Sequence, residues 1–311
     1  MSISIIIVNY NTTSYINRLV SSIRKFIDDT EYEIIIVDNN SVERDIEEYA
    51  VNNPDIKLVQ LDQNYGFGYA NNRGMENARY EYFLLLNPDT YLSDDSIKLL
   101  FKAFEKNLDW GIAAPAIKFP NGKIQESALK FPNIRYEIYS LLGILARVIK
   151  YSKRLRRIIF GNKEYETDFL FGSCLLIRKE LNDILGGFDE DYFLFTEETD
   201  YCYRTKQETE YKIVYYPKAC IHHESGAITK KNPAKREYFS YNSKLIFINK
   251  HYSKWYSILF RFVVIMLFLK KILAAKAVKS KRDTERVEYY SKIIRMYLTN
   301  SPELNNVHRE R

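Results

Sequence analysis

The chain has 311 residues, 46% of them hydrophobic and 28% charged, with only 11 Gly and 8 Pro. That composition excludes a disordered or collagen-like chain, and at ~150 residues per domain the length allows one large domain or two small ones. The net charge of +6 divides unevenly: residues 1–130 carry 13 Lys and Arg against 19 Asp and Glu, and the remainder 33 against 21. The basic C-terminal part asks for an anionic partner, with nucleic acid and anionic lipid both candidates. Three widely spaced cysteines, Cys174, Cys202 and Cys220, form no CxxC pair. They support neither a zinc ribbon nor a disulfide scaffold and fit a reducing cytoplasm.

The first third alternates strands and helices. Residues 3–8, 33–37, 56–61 and 82–86 are apolar or β-branched runs with strand character. Residues 14–26, 43–52, 68–78 and 96–106 carry helical spacing between them. Residues 1–9 hold neither a basic n-region nor a cleavage site, so their apolar run reads as a buried strand and not as a signal peptide. Alternation of this kind argues for a parallel sheet covered on both faces. Past Gly111 the pattern changes. Residues 116–130 read as a hairpin turning at Asn121-Gly122. Residues 134–160 are helical, with a dense basic run at 147–157. Residues 169–178 and 213–216 read as strands, and from Asn242 the chain is helical, apolar and then basic.

In such sheets ligands bind beyond the carboxyl ends of the strands. The polar residues there are Asn9-Tyr10-Asn11, Asp38-Asn39-Asn40-Ser41, Asn64 and Asn87-Pro88-Asp89. Singly, each makes an ordinary turn or helix cap. Four strand ends offering Asn or Asp to one rim describe a polar site. A carboxylate directly after a buried strand, such as Asp89, has a fixed direction and can hold a hard divalent cation that bridges two phosphates. Glu197, Glu198 and Asp200, with Arg204 behind them, form a cluster of like charge. Such a cluster is either a solvated helix N-terminus, where the dipole favours acids, or a site in which one carboxylate is a general base. Two of the four histidines are adjacent, in Ile221-His222-His223-Glu224-Ser225-Gly226. Imidazole ligates Mn²⁺, and neighbours on an extended segment point opposite ways, so one of the two reaches a given site.

Taken in order, Ile7-Val8-Asn9-Tyr10-Asn11, Val37-Asp38-Asn39-Asn40-Ser41, Asn64-Tyr65-Gly66-Phe67-Gly68, Asn72, Leu86-Asn87-Pro88-Asp89, Gly172-Ser173-Cys174, Gly186-Gly187-Phe188-Asp189-Glu190, Glu197-Glu198-Thr199-Asp200 and His222-His223 resemble the family 2 glycosyltransferases, in their rhamnosyltransferase-like branch, across residues 3–250. The resemblance implies an α/β GT-A nucleotide-diphospho-sugar transferase fold: a Rossmann-like, mostly parallel sheet flanked by helices, with a C-terminal helical extension. It places a catalytic domain at 1–250, with a nucleotide-binding half at 1–110 and an acceptor-binding half at 111–250; beyond it, 251–311 are expected to form a helical, basic, membrane-associated segment on their own composition. It implies an inverting transfer in bacterial surface polysaccharide synthesis, with Mn²⁺ or Mg²⁺ as cofactor. The donor would be a dTDP- or UDP-sugar, dTDP-rhamnose first and a UDP-hexose as the alternative. The acceptor would be a glycan or a polyprenyl-linked glycan.

Residue by residue, Asp38 would meet the nucleoside base. The backbone of Asn9-Tyr10 and the side chain of Asn64 would line the nucleotide pocket, with Asn72 alongside. Asn87 stands where the usual Asp-x-Asp motif has its first acid and would be a ribose contact or a support behind the metal ligands. Asp89 would ligate the metal, with His223, preferred over His222, as a further ligand to metal or diphosphate. The base belongs to a Glu-Asp-x-Asp pattern, usually at its second acid, which here is Glu198. The longer side chain departs from that pattern, so Glu197 and Asp200 stay candidates. Asp200 would otherwise orient the base or bind the acceptor.

Residues 255–269, WYSILFRFVVIMLFL, are shorter than the roughly 20 apolar residues a bilayer span needs, and they contain Arg261. They are expected to lie in the membrane interface, drawn there also by the basic stretches 147–157 and 276–282. The other reading is a core helix that packs the C-terminal segment onto the catalytic domain. The expected location is the cytoplasm, at the inner face of the cell membrane. A nucleotidyltransferase would carry a Gly-rich phosphate loop near the first strand, which Val8-Asn9-Tyr10-Asn11-Thr12 lacks. No RNP-like motif accompanies the basic stretches, so nucleic acid is not an expected partner. Asn87 and Glu198 keep open a catalytically weak scaffold.

Overall fold

The structure, a computed structural model, describes residues 2–43, 45–224, 232–278 and 281–304. Ser225-Gly226 of the histidine motif and Lys279-Ser280 of the basic stretch at 276–282 lie outside the described residues, as do the side chains of 156–158, 278 and 281–283. In chain order the elements are β1 (Ile3–Asn9), α1 (Thr13–Phe26), β2 (Tyr32–Asp38), α2 (Asp45–Val51), β3 (Ile56–Gln60), α3 (Phe67–Glu76), β4 (Tyr82–Leu86), β5 (Thr90–Tyr91), α4 (Ile97–Lys106), β6 (Trp110–Lys118), β7 (Ile124–Gln125) and β8 (Ala128–Leu129). There follow α5 (Ile134–Leu141), α6 (Leu145–Phe160), β9 (Tyr165–Glu166), β10 (Phe169–Leu170), β11 (Cys174–Arg178), α7 (Lys179–Leu185), α8 (Glu197–Glu208), β12 (Lys212–His223), α9 (Pro233–His251), α10 (Lys254–Val278) and α11 (Lys281–Thr299). They fall into two compact units. One comprises residues 1–131, 162–190 and 197–228, the other 132–161, 191–196 and 229–311.

The first unit is built on a sheet of order β3-β2-β1-β4-β11-β6-β12-β5, with β7 beside β6 and β9 beside β12. Strands β1 to β4 are mutually parallel, β11 runs antiparallel between β4 and β6, and β12 is parallel to β6. Alternation along β1 decides both faces. Ile3, Ile5 and Ile7 pack with Ile16, Leu19 and Ile23 of α1. Ile6 and Val8 pack with Ala70 and Met75 of α3 on the other side. Each fully buried Ile contributes about 1.5–3 kcal/mol. Helix α3 comes closest at Gly74, where a Cβ would stand 2.4 Å from Cγ2 of Ile6.

Several expected segments are subdivided. The hairpin pairs only Ile117 with Gln125 and Lys118 with Ile124, after which β8 leaves to pair with β10. The run 169–178 breaks at Gly172-Ser173 into β10 and β11, and 134–160 breaks at Gly143, φ 73°, into α5 and α6. The strand at 213–216 instead continues to His223, with a register shift between Tyr216 and Cys220. Pro217 lies in that shift and has no N–H to offer the ladder.

The second unit is helical. Phe260, Val264 and Phe268 of α10, Leu245 and Phe247 of α9, and Ile293 and Tyr297 of α11 are buried in it. The Tyr241 hydroxyl donates to Glu137 at 2.8 Å, and Lys244 pairs with the same carboxylate at 2.7 Å. The expected boundary at residue 250 falls inside this unit. Helix α5 lies on α10: the Ile134 N–H donates to the Tyr256 hydroxyl at 2.8 Å, and Lys270 donates to the Leu141 carbonyl at 2.7 Å. Helix α5 thus packs with a helix more than a hundred residues away in sequence. Among the described residues no helix is long and apolar enough to cross a membrane.

Candidate functional site

The topology gathers the site. Because β11 is antiparallel to β4, with Cys174 opposite Leu86, its start lies at the rim where β1, β2, β4 and β12 end. Asn9, Asp38, Asn87, Ser173 and His223 therefore share that rim, although they span more than two hundred positions of sequence.

At β1 and β2 the polar residues form one network. Asn9 Nδ2 donates to Asp38 Oδ1 at 2.7 Å and to the Ser41 hydroxyl at 3.1 Å. Asp38 also accepts from the Ser41 hydroxyl at 2.6 Å and the Ser41 N–H at 3.1 Å. Asn11 and Asn40 turn the two loops at φ 54° and 59°, left-handed values that Asn tolerates. Asn39 extends the network to β3: its Nδ2 donates to Asn64 Oδ1 at 2.9 Å, and its Oδ1 accepts from the Tyr65 N–H at 3.0 Å. Tyr10 is half-buried beside Asn9. Ser41 and Asn39, quoted in the sequence pattern but given no role there, join Asn9, Asp38 and Asn64.

Asn72 is placed differently from the expectation. Its Nδ2 donates to the Phe188 carbonyl at 2.9 Å and its Oδ1 accepts from the Phe188 N–H at 2.8 Å. Nδ2 also meets Glu190 at 3.0 Å. Both ends of the buried amide are spent on tying α3 to the Gly187-Phe188 turn, so Asn72 supports the site from behind. Gly187 fits against it because a Cβ there would stand 2.7 Å from Asn72 Oδ1.

At β4 and β12, Asp89 and His223 meet. Nε2 of His223 lies 3.1 Å from Asp89 Oδ1, and Nδ1 lies 2.9 Å from Gln125 Oε1 and 3.5 Å from the Ser173 hydroxyl. An amide oxygen only accepts, so Nδ1 carries the hydrogen toward Gln125. Nε2 then faces a carboxylate lone pair, an arrangement completed by a second ring proton or by a cation between the two groups. Imidazole nitrogen with carboxylate oxygen suits Mn²⁺ or Mg²⁺. Among the described residues no third His, Cys, Asp or Glu closes around this pair. His222 points the other way, stacked on Tyr91 with centroids 4.9 Å apart and planes 14° apart. The histidine candidates thus reduce to His223. Asn87 presents Oδ1 buried and without a hydrogen-bond partner among the described residues. Gln125 carried no signal in the sequence; only the hairpin register brings it here.

The three acids separate by environment. Asp200 is fully buried and pairs with Arg204 Nε at 2.7 Å. The rest of that guanidinium donates to the carbonyls of Leu185 at 2.9 Å and Gly187 at 2.8 Å. Asp200 therefore anchors α8 to the end of α7, and its carboxylate is engaged by a fixed cation. Glu197 and Glu198 are also buried, yet Oε2 of each has no hydrogen-bond partner among the described residues. Burial pushes the Glu198 carboxyl up to about 7, against the opposing pull of its own N–H and that of Gly172. Burial, and then the charge of Glu198, push Glu197 well above the ordinary carboxylate range.

One turn joins these parts. Gly172 directs its N–H to Glu198. The Ser173 carbonyl accepts from the Asn87 N–H at 3.1 Å, and the Ser173 hydroxyl reaches toward His223. Glu198 and the Asp89–His223 pair thus sit on either side of two residues. The three cysteines are buried free thiols, and burial raises all three.

The profile of the family described as Glycosyl transferase family 2 matches residues 4–186. The N-acetylglucosaminyl-diphospho-decaprenol L-rhamnosyltransferase of Mycobacterium tuberculosis is 25% identical over 264 residues, covering 81% of this chain and 85% of that protein. The low-salt glycan biosynthesis hexosyltransferase Agl10 of Haloferax volcanii is 26% identical over 289 residues, covering 87% and 86%. Among solved structures, GalNAc-T7 with UDP, GalNAc and Mn²⁺ superposes with a TM-score of 0.61 at 13% identity, over 96% of this chain and 56% of that one. The structural likeness shows the GT-A fold.

Proposed function

The chain belongs to glycosyl transferase family 2, and we propose that it moves rhamnose from dTDP-rhamnose onto a polyprenyl-linked glycan in bacterial surface polysaccharide synthesis. The observation that carries the site assignment is the Gly172-Ser173 turn, which joins Glu198 to Asn87 and His223. The rhamnose and the lipid-linked acceptor draw support from the name of the Mycobacterium tuberculosis relative.

In this reading Asp38, Asn64 and the Asn9-Tyr10 backbone receive the nucleoside, and Oδ1 of Asn87, buried and without a hydrogen-bond partner among the described residues, accepts from a ribose hydroxyl. Asp89 and His223 Nε2 would hold Mn²⁺ or Mg²⁺, which would supply positive charge to the diphosphate leaving group. Glu198 takes the proton of the acceptor hydroxyl while that oxygen bonds to the anomeric carbon. The bond from that carbon to the diphosphate breaks, and its electron pair leaves with the nucleoside diphosphate. One displacement from the face opposite the leaving group inverts the configuration. A carboxyl near 7 is matched to this work at neutral pH. Burial and the charge of Glu198 raise Glu197 beside it, which disfavours a second negative charge in the site. The transfer takes place at the cytoplasmic face of the membrane, where such an acceptor is presented.

The test is nucleoside diphosphate release with Mn²⁺ and a panel of dTDP-, UDP- and GDP-sugars, with donor binding by calorimetry alongside. Release from dTDP-rhamnose that disappears in Asp89→Ala is the expected result. Release from a UDP-hexose alone would replace rhamnose with a hexose. Failure to bind any nucleotide sugar would overturn the reading.

A further inference from the structure

Helix α10 buries one side and leaves the other bare. Trp255, Leu259, Phe262, Met266, Leu269 and Leu273 are 41% to 81% exposed. Their spacing of four, three, four, three and four residues keeps them on one side of the helix. At 1.5 Å per residue the strip is about 27 Å long. A continuous apolar strip of that length is unlike the single exposed apolar residues of an ordinary surface.

Helix α6 belongs to the same unit, and none of its described residues is buried. Val148, Leu155 and Ile159 fall on one side at helical spacing, and Arg147, Lys150 and Arg154 on the opposite side. A basic polar face behind an apolar one is the pattern of a helix lying in a lipid headgroup layer. Helix α6 leaves the Gly143 turn next to Leu141, whose carbonyl is bonded to Lys270 of α10.

Charge selects the occupant. Neither α6 nor α10 contains a single acidic residue. A second copy laid along the strip would bring Lys254, Lys270 and Lys276 near like charges, with no carboxylate on either helix to answer them. Anionic headgroups answer all of them. We propose that α10 and α6 together form a docking surface for an anionic lipid bilayer, with the α10 strip entering the headgroup–acyl boundary and the basic side of α6 meeting the phosphates. The inference deepens the reading of a membrane-facing transferase and rests on it. The assay below reads lipid binding and not turnover, so the two fail separately.

The experiment is flotation of the full chain with vesicles of phosphatidylcholine alone or mixed with phosphatidylglycerol, at low and high salt, with tryptophan emission recorded. The two Trp residues are a built-in probe: Trp110 is 7% exposed in β6 and Trp255 81% exposed on α10. The expected result is flotation with the phosphatidylglycerol vesicles at low salt, a blue shift of emission and quenching by lipids brominated near the headgroup. Trp255→Phe keeps the flotation and loses the shift. Phe262→Ser with Leu273→Ser, and separately Lys150→Glu with Arg154→Glu, each weaken vesicle binding by about tenfold or more. Both double variants keep the circular dichroism and the donor-dependent nucleotide release of the parent chain. Absence of flotation with any vesicle, or binding unchanged in both double variants, overturns the proposal. So does a lipid-free dimer in sedimentation that Phe262→Ser abolishes, because the strip would then belong to a second copy.

Discussion

His223 stands between two oxygens: Nε2 is 3.1 Å from Asp89 Oδ1, and Nδ1 is 2.9 Å from Gln125 Oε1. The Gln125 contact sets the tautomer, and in the proposed site the tautomer leaves Nε2 as the nitrogen that would ligate. Loss of a partner of this kind typically costs about 10- to 100-fold in metal affinity. Gln125→Leu is therefore expected to raise the Mn²⁺ concentration needed for half-maximal turnover by about that factor, with saturating Mn²⁺ restoring most of the rate. Asp89→Ala, which removes a proposed ligand outright, is expected to stay inactive at any Mn²⁺ concentration. A metal titration of turnover distinguishes the two.

Glu198 predicts opposite pH trends for rate and stability. Turnover is expected to rise with pH through about 7 as the base loses its proton, and Glu198→Gln to lower kcat by about a hundred- to ten-thousandfold. The titrating neighbours are Glu197, raised by burial, and the Cys202 thiol, pushed up to about 12. For stability, a carboxyl whose folded pKa lies above its ordinary 4.5 holds its proton more tightly in the folded chain. That contribution is complete below about 4.5 and is lost as pH rises to about 7. Glu198→Gln is therefore expected to be more stable than the parent chain at about pH 8, by on the order of a few kcal/mol. The gap closes at low pH, which urea unfolding at the two pH values measures.

Gly186 and Gly187 are adjacent and both left-handed, at φ 70° and 85°, yet only one is enclosed. A Cβ on Gly186 meets nothing within 4 Å, whereas one on Gly187 stands 2.7 Å from Asn72 Oδ1. Gly186→Asn is expected to cost under about 1 kcal/mol, since Asn accepts this conformation. Gly187→Ala is expected to cost about 2–4 kcal/mol, because backbone strain is joined by loss of the Asn72–Phe188 pair. Thermal melting of the two variants gives the comparison.

Asp200 and Arg204 form the remaining test, since Asp200 began as a base candidate. Removing one partner of a buried pair leaves the other charge unanswered, at a cost of about 3–5 kcal/mol. Asp200→Ala is expected to lower the melting temperature strongly, while the folded fraction keeps its pH–rate midpoint near that of the parent chain. A lost alkaline-rising limb in this variant, with stability intact, would restore Asp200 as the base.

Local chemistry written along the chain determined much of this protein. Strand and helix alternation over the first hundred residues is a matter of which neighbours are apolar, so β1 to β4 and their helices were legible. Asn and Asp at strand ends were legible for the same reason, and with them Asp38, Asp89 and the His222-His223 pair. Tertiary structure decided what each group faces. Adjacent histidines differ only in the side of β12 they occupy, and pairing with β5 turns His223 to Asp89 and His222 to Tyr91. Three acids in one helical turn look alike in sequence; packing hands Arg204 to Asp200 and leaves Glu197 and Glu198 each with a buried oxygen that has no hydrogen-bond partner among the described residues. Asn72 became a tie to Phe188, Gln125 a partner of His223, and α5 a companion of α10. Periodicity records that a side chain will be covered. The partner that covers it, and therefore its pKa and its role, comes from residues distant in sequence.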